Sequence, residues 1–200
     1  MDMLAEPLQW ALAAFVGYLS GSVPYGLLFA RLFGLGDIRK IGSGNIGATN
    51  ALRTGNKTMA FLTLLGDVFK ATVPVLIFMP YGVTLAAIAG LAAFIGHCYP
   101  VWLRFGGGKG VATYIGVLFG LSLWLSLVFA LVWIVLAYVS RYSSLAALAA
   151  TLAVPLAALM LGLPVVALYT GLMTALVFWR HRANIRRLVD GREGKIGAKG

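Results

Sequence analysis

The charged residues of this 200-residue chain are spaced so widely that they divide it into apolar stretches of the length a bilayer crossing requires. A membrane helix needs about 20 apolar residues to cover ~30 Å of hydrocarbon. Pro7 to Ala30 holds no charge and reads as one span. Lys57 and Arg104 bracket a longer segment broken at Pro80-Tyr81-Gly82, which reads as two helices joined by a tight turn. Lys109 to Arg141 and Arg141 to Arg180 are charge-free between their ends, with interruptions at Gly120-Leu121-Ser122 and Gly162-Leu163-Pro164. Each reads as a hairpin of short helices. A single overlong helix per stretch would put successive basic loops on opposite faces, against the positive-inside tendency.

Folded as hairpins, the chain carries Arg31, Arg39, Lys40, Arg53, Lys57, Arg104, Lys109, Arg141 and the basic tail from Arg180 to Lys199 on one face, and no Lys or Arg on the opposite turns. The expected fold is therefore all-α, a polytopic membrane helical bundle of seven transmembrane helices. Its N-terminus is outside and its C-terminus cytoplasmic, in one domain over residues 1–200. Composition agrees: 60% hydrophobic residues, 11% charged and a mean hydropathy of +0.91 exceed what a soluble core of this length needs. A net charge of +10 on so apolar a chain points to cytoplasmic loops and anionic lipid rather than nucleic acid. The acidic start Met1-Asp2-Met3-Leu4-Ala5-Glu6 lacks the basic residues of a signal peptide, so the first apolar stretch is expected to remain. Cys98 is the lone cysteine and reads as structural. No internal repeat is evident, which disfavours inverted-repeat transporter architectures.

Three polar segments carry chemistry. The first, Asp37 to Arg53, is rich in glycine (Gly42, Gly44, Gly47) and in neutral donors (Ser43, Asn45, Thr49, Asn50), and it ends in an arginine fork suited to phosphate oxygens. Read alone, it is equally compatible with a solvated re-entry loop of turn residues. The second, Phe105-Gly106-Gly107-Gly108-Lys109-Gly110-Val111-Ala112-Thr113, lies where a helix begins, and unpaired N–H groups there attract anions. It lacks the Walker spacing, a preceding strand and a magnesium carboxylate, which excludes a nucleotide P-loop. The third, Trp179 to Leu188, places His181 and Asn184 on one helical face amid arginines that suit lipid phosphates.

Smaller features leave alternatives open. Asp67 and Lys70, three residues apart inside an apolar span, form either a structural ion pair or a site with Lys70 facing substrate. His97 reads as a helix-end histidine. Ser143 and Ser144 either cap the helix that follows or donate to phosphate, with capping the simpler reading.

Together the segments resemble the acyl-phosphate:glycerol-3-phosphate acyltransferase (PlsY) family. The resemblance is carried by Gly-Ser-Gly-Asn-Ile-Gly-Ala-Thr-Asn at 42–50 with Arg53, by Gly-His-Cys-Tyr-Pro at 96–100 leading to Gly-Gly-Lys-Gly-Val-Ala-Thr at 107–113, and by Arg-His-Arg-Ala-Asn-Ile-Arg-Arg-Leu at 180–188 with Glu193. The resemblance implies a bacterial inner-membrane enzyme with its active site facing the cytoplasm. It would transfer a fatty acyl group from acyl phosphate to the sn-1 hydroxyl of glycerol 3-phosphate, giving lysophosphatidic acid and phosphate. It further implies catalytic roles for Ser43, Arg53, Lys109, His181 and Asn184, and substrate binding by Gly42, Gly44, Asn45, Thr49, Asn50, Gly107, Gly108, Gly110, Thr113 and Ser143, with Glu193 supporting structure. One departure is Gly106, where relatives often carry lysine or another polar residue, so the site is one cation poorer.

The substrates implied, acyl phosphate and glycerol 3-phosphate, suit cations and backbone donors at a membrane surface, beside lipid. Acyl phosphate is already activated, so neutralising the departing phosphate would do much of the catalysis. No acyl-enzyme is expected; either His181 or the phosphate of glycerol 3-phosphate takes the hydroxyl proton, and Ser43 positions phosphate. No cofactor or metal is expected, because Asp37, Asp67, Asp190 and Glu193 are scattered. The working unit is expected to be a monomer. A transporter for a phosphorylated solute is the competing reading, but only Asp67 and Lys70 interrupt the spans with charge. A structural scaffold would leave the glycine-lysine and His-Asn motifs unexplained. The segments around Ser43, Lys109 and His181 are expected to meet at the cytoplasmic surface.

Overall fold

The computed structural model describes residues 5–197; Asp2 and Lys199, both weighed above, lie outside them. The described chain is a helical membrane protein that divides into two compact units, one up to Leu121 and one from Ser122 on.

In the first unit, helices α1 (Ala5–Gly21), α2 (Tyr25–Leu32), α3 (Ala48–Ala51), α4 (Lys57–Phe78), α5 (Val83–Cys98) and α6 (Val111–Leu121) follow in order. The hairpin between α4 and α5 turns at Met79–Tyr81 and Gly82, as the Pro-Tyr-Gly break predicts. Small residues set the packing, because lipid gives no hydrophobic drive between helices and close backbone approach must supply the contact. A Cβ on Gly17 would lie 2.2 Å from the Ala89 carbonyl oxygen, and one on Gly21 would lie 1.9 Å from that of Ala93. The paired registers 17 with 89 and 21 with 93 run in the same sense, so α1 lies parallel to α5. Between α4 and α6, Thr72 Oγ1 donates to the Gly116 carbonyl at 2.8 Å.

The first span is not the single helix expected. It breaks between α1 and α2 at Ser22-Val23-Pro24, where Pro24 has no N–H to continue the ladder. Carbonyls freed at such a break need partners in a bilayer. Lys70 Nζ donates to the Val23 carbonyl at 2.9 Å and Trp102 Nε1 to the Ser22 carbonyl at 2.7 Å. The break lets the chain turn into the segment 33–56, which is ordered over its own small core of Ala30, Ile38, Ala51, Met59 and Ala60.

The second unit comprises α7 (Leu123–Ser140), α8 (Ser143–Met160), α9 (Pro164–Arg180) and α10 (Arg182–Val189). Ser122 caps α7, Gly162 turns the chain at φ +69° between α8 and α9, and Thr174 Oγ1 donates to the Thr151 carbonyl at 2.7 Å to join those two helices. Beyond α10 the tail folds back on the α7–α8 turn: Ile196 N–H donates to the Arg141 carbonyl at 2.7 Å, and Arg141 Nη2 donates to the Ile196 carbonyl at 3.0 Å.

Among the described residues, five segments are long and apolar enough to cross a membrane: Glu6–Leu32, Lys57–Tyr81, Val83–Leu103, Leu123–Ser140 and Ser143–Met160. The remaining two of the seven expected are shorter, α6 with 11 residues and α9 with 17.

Candidate active site

The segment 37–53 is built around one buried amide. Asn50 Oδ1 accepts from the Ser43 N–H at 3.0 Å and from Ser43 Oγ at 3.3 Å. Its Nδ2 donates to the Ile38 and Asn45 carbonyls, both at 2.8 Å. All four hydrogen-bonding positions of the side chain are thus filled by the loop itself. Asn50, expected among the substrate-binding residues, is by this geometry the residue that gives the loop its shape. Gly42, at φ +55°, lies beneath the Arg53 side chain: a Cβ there would stand 2.6 Å from Arg53 Nη1 and 2.7 Å from Asn50 Oδ1. Arg53 is thereby laid along the Gly42-Ser43 turn, and no carboxylate among the described residues pairs with it. Ser43, Gly44 and Thr49 are exposed beside it, and Asn45 is half-buried with its Oδ1 accepting from the Ile46 N–H. At the loop's start, hydrogen bonds from the Arg39 fork and backbone hold the Asp37 carboxyl down at about 2.

The glycine-lysine segment folds back across the end of α5. Gly107 N–H donates to the Cys98 carbonyl at 3.2 Å and Gly108 N–H to the His97 carbonyl at 3.0 Å. A helix end leaves such carbonyls without partners, and these two glycines cap it. Their N–H groups were expected to meet phosphate; the structure commits them to α5. The donors at the start of α6 come instead from its own first turn, since the helix opens with Tyr114 N–H donating to the Gly110 carbonyl. Lys109 is half-buried between the capping glycines and that turn, and Gly110 takes φ +84° against the Phe94 ring. Thr113 is fully buried, and its hydroxyl is without a hydrogen-bond partner among the described residues.

In the second unit His181 and Asn184 are both buried, at the junction of α9 and α10. His181 Nδ1 lies 2.9 Å from the Val177 carbonyl. A carbonyl can only accept, so Nδ1 carries the hydrogen and the neutral ring has its lone pair on Nε2. Asn184 Nδ2 and Ser144 Oγ both donate to Glu193 Oε1, at 2.6 and 2.7 Å, while Arg187 Nε donates to Oε2 at 2.7 Å. Burial alone would raise the Glu193 pKa; these three hydrogen bonds, with the Arg187 charge, bring it below its ordinary value.

Ser143 and Ser144 do not cap α8. The N-cap is Tyr142, with no side-chain capping bond, and Ser144 faces Glu193 because it lies one residue further round the helix. The open question at Asp67 and Lys70 resolves as a buried ion pair of 2.7 Å.

The profile of the glycerol-3-phosphate acyltransferase family matches residues 11–191. The chain belongs to that family. A glycerol-3-phosphate acyltransferase of Mesorhizobium japonicum is 58% identical over 94% of this chain and 97% of its own length. One from Agrobacterium fabrum is 52% identical over 100% of this chain and 98% of its own length. The fold matches the crystal structure of PlsY (YgiH), an integral membrane glycerol 3-phosphate acyltransferase. Its glycerol 3-phosphate form gives a TM-score of 0.89 at 38% identity, covering 94% of this chain and 96% of that one. Its lysophosphatidic acid form gives 0.88 at the same identity.

His97, expected at a helix end, lies in the last turn of α5, and Trp102, which no sequence motif singled out, donates from Nε1 to the Ser22 carbonyl.

Proposed function

We propose that this chain is an acyl-phosphate:glycerol-3-phosphate O-acyltransferase, a single domain over residues 1–200 that acts as a monomer in the bacterial inner membrane. The near full-length match to the family carries this reading. The sn-1 hydroxyl oxygen of glycerol 3-phosphate attacks the acyl carbonyl carbon. The bond from that carbon to the phosphate oxygen breaks, phosphate leaves with the electron pair, and the hydroxyl proton passes to a base.

The residues fit these tasks. Arg53, with no carboxylate partner, and Lys109, beside the first turn of α6, neutralise phosphate charge as it develops on the leaving group. Ser43, held by Asn50, donates to phosphate, and Gly42, Gly44, Asn45, Thr49 and Ser143 line the substrates, while Gly110 and Thr113, both buried, support the first turn of α6. His181, whose lone pair the Val177 contact places on Nε2, takes the proton, and Asn184, oriented by Glu193, directs a polar group at substrate.

Seven crossings with the N-terminus outside are part of the proposal. The turns around Tyr81, Leu121 and Leu163 hold no Lys or Arg, whereas Arg53, Lys57, Arg104 and Arg141 occupy the others. By rise alone α6 extends only about 17 Å.

Purified protein supplied with acyl phosphate, acyl-CoA or acyl carrier protein as donor tests the reading. Lysophosphatidic acid from acyl phosphate is expected, and its absence with every donor overturns the proposal. His181→Ala is expected to lower kcat about 10²- to 10⁴-fold. A normal rate would instead assign the base to the phosphate of glycerol 3-phosphate. A stable acyl ester on Ser43 would replace direct transfer by a two-step route.

A further inference from the structure

The buried trio Asp67, Lys70 and His97 contains more than an ion pair needs. Asp67 and His97 are 2% and 3% exposed, in the middle of α4 and the last turn of α5. Inside a bilayer a lone charge is costly, and Lys70 at 2.7 Å answers that need for Asp67. His97 is placed nonetheless with Nδ1 3.5 Å from the same Asp67 oxygen.

The opposite edge of the imidazole explains the placement. A Cβ on Gly108 would lie 2.1 Å from His97 Nε2, so the Gly108 backbone runs directly against the ring. The same two residues meet through the main chain, Gly108 N–H on the His97 carbonyl. The segment reaches this contact through Arg104 and Phe105, both left-handed at φ +50° and +63°, a conformation non-glycine residues hold only where their surroundings impose it. Lys70, through the Val23 carbonyl, ties the trio to the break in the first span.

We propose that Asp67 and His97 are positioning residues for the Gly107–Lys109 segment: the carboxylate orients the imidazole, and the Nε2 edge of the ring sets the backbone path that aims Lys109 and the first turn of α6 at a substrate phosphate. The proposal rests on the functional reading above. Neither residue touches substrate. They act through backbone placement, for which a shift of about 1 Å is enough to cost on the order of a hundredfold.

The test uses full-length protein in detergent, with glycerol 3-phosphate binding measured by calorimetry alongside KM, kcat and thermal unfolding. His97→Ala keeps the Asp67–Lys70 pair and is expected to weaken binding and raise KM about tenfold, with kcat changed less than about threefold. Gly108→Ala, whose methyl meets the ring, is expected to weaken binding more. The double variant H97A/G108A recovers part of that loss, because removal of the ring makes room. A fall that is merely structural would appear as a reduced folded fraction and would not be relieved in the double variant. His97→Ala binding and KM like wild type, or a Gly108→Ala defect that persists unchanged in the double variant, would overturn the proposal. Wild-type protein that binds glycerol 3-phosphate without turning over any donor would sink the functional reading and leave this one standing. Wild-type protein that binds none would sink both.

Discussion

Asn184 Nδ2 donates to Glu193 Oε1 at 2.6 Å, so the residue that the family motif assigns to catalysis is held by the residue assigned to structure. The same carboxylate gathers Ser144 from the start of α8 and Arg187 from the next turn of α10. Asn184 cannot be aimed independently of Glu193.

Replacing Glu193 therefore costs both stability and activity. Glu193→Gln keeps an acceptor for Asn184 but turns an amide donor toward Arg187, and is expected to destabilise by about 1–3 kcal/mol. Because the folded-state pKa of Glu193 is lowered, its contribution is fully present above its ordinary value of 4.5 and is lost as pH falls through the lower folded value. The difference in melting temperature between wild type and Glu193→Gln should be constant near neutrality and shrink on acidification. A difference that grew toward acid would contradict the assignment.

Ser143 and Ser144 separate in the same experiment. Ser144→Ala removes a hydrogen bond to a carboxylate and is expected to destabilise by about 1.5–3 kcal/mol, with KM changed little. Ser143→Ala should leave the melting temperature within a degree or two. If Ser143 lines the substrates, its effect appears in KM. Thermal unfolding and steady-state kinetics on the two variants check the distinction.

The α4–α5 and α8–α9 turns were legible because turn residues act locally: Pro80 and Gly162 follow helix ends, and Pro164 begins the next helix. The break at Pro24 was missed for a related reason. A proline in an apolar stretch can kink a membrane helix or end it, and the outcome depends on distant donors, Lys70 and Trp102, whose proximity no local pattern encodes. The motif glycines were legible as positions but not as tasks. Gly107 and Gly108 looked like anion-binding donors, whereas their N–H groups cap α5 and their missing side chains make room for the backbone and ring of His97. For Asn50, too, only the fold shows that its four hydrogen-bonding positions are filled by the loop.

The proposed orientation makes a labelling prediction. In a background with Cys98 replaced, Tyr81→Cys and Leu161→Cys, both exposed at hairpin turns, should react with a membrane-impermeant maleimide added outside sealed spheroplasts. Lys57→Cys and Lys195→Cys should react only after lysis. Labelling of Lys57→Cys from outside would invert the topology.

The Asp67–Lys70 pair predicts strong non-additivity. Asp67→Asn leaves a buried ammonium with neutral acceptors but no counter-charge, and Lys70→Met leaves a buried carboxylate with His97 as its remaining neighbour. Each single change is expected to cost about 3–5 kcal/mol, because removing one partner strands the other charge. In the double variant D67N/K70M no charge is stranded, and the loss should be smaller than either single loss plus the other. Part of it should persist, since the methionine cannot replace the Lys70 hydrogen bond to the Val23 carbonyl and leaves it only the 3.1 Å contact from the Tyr25 N–H. Thermal unfolding of all four proteins measures the cycle. Additive losses would mean that the pair is not coupled and that Lys70 serves the Val23 carbonyl alone.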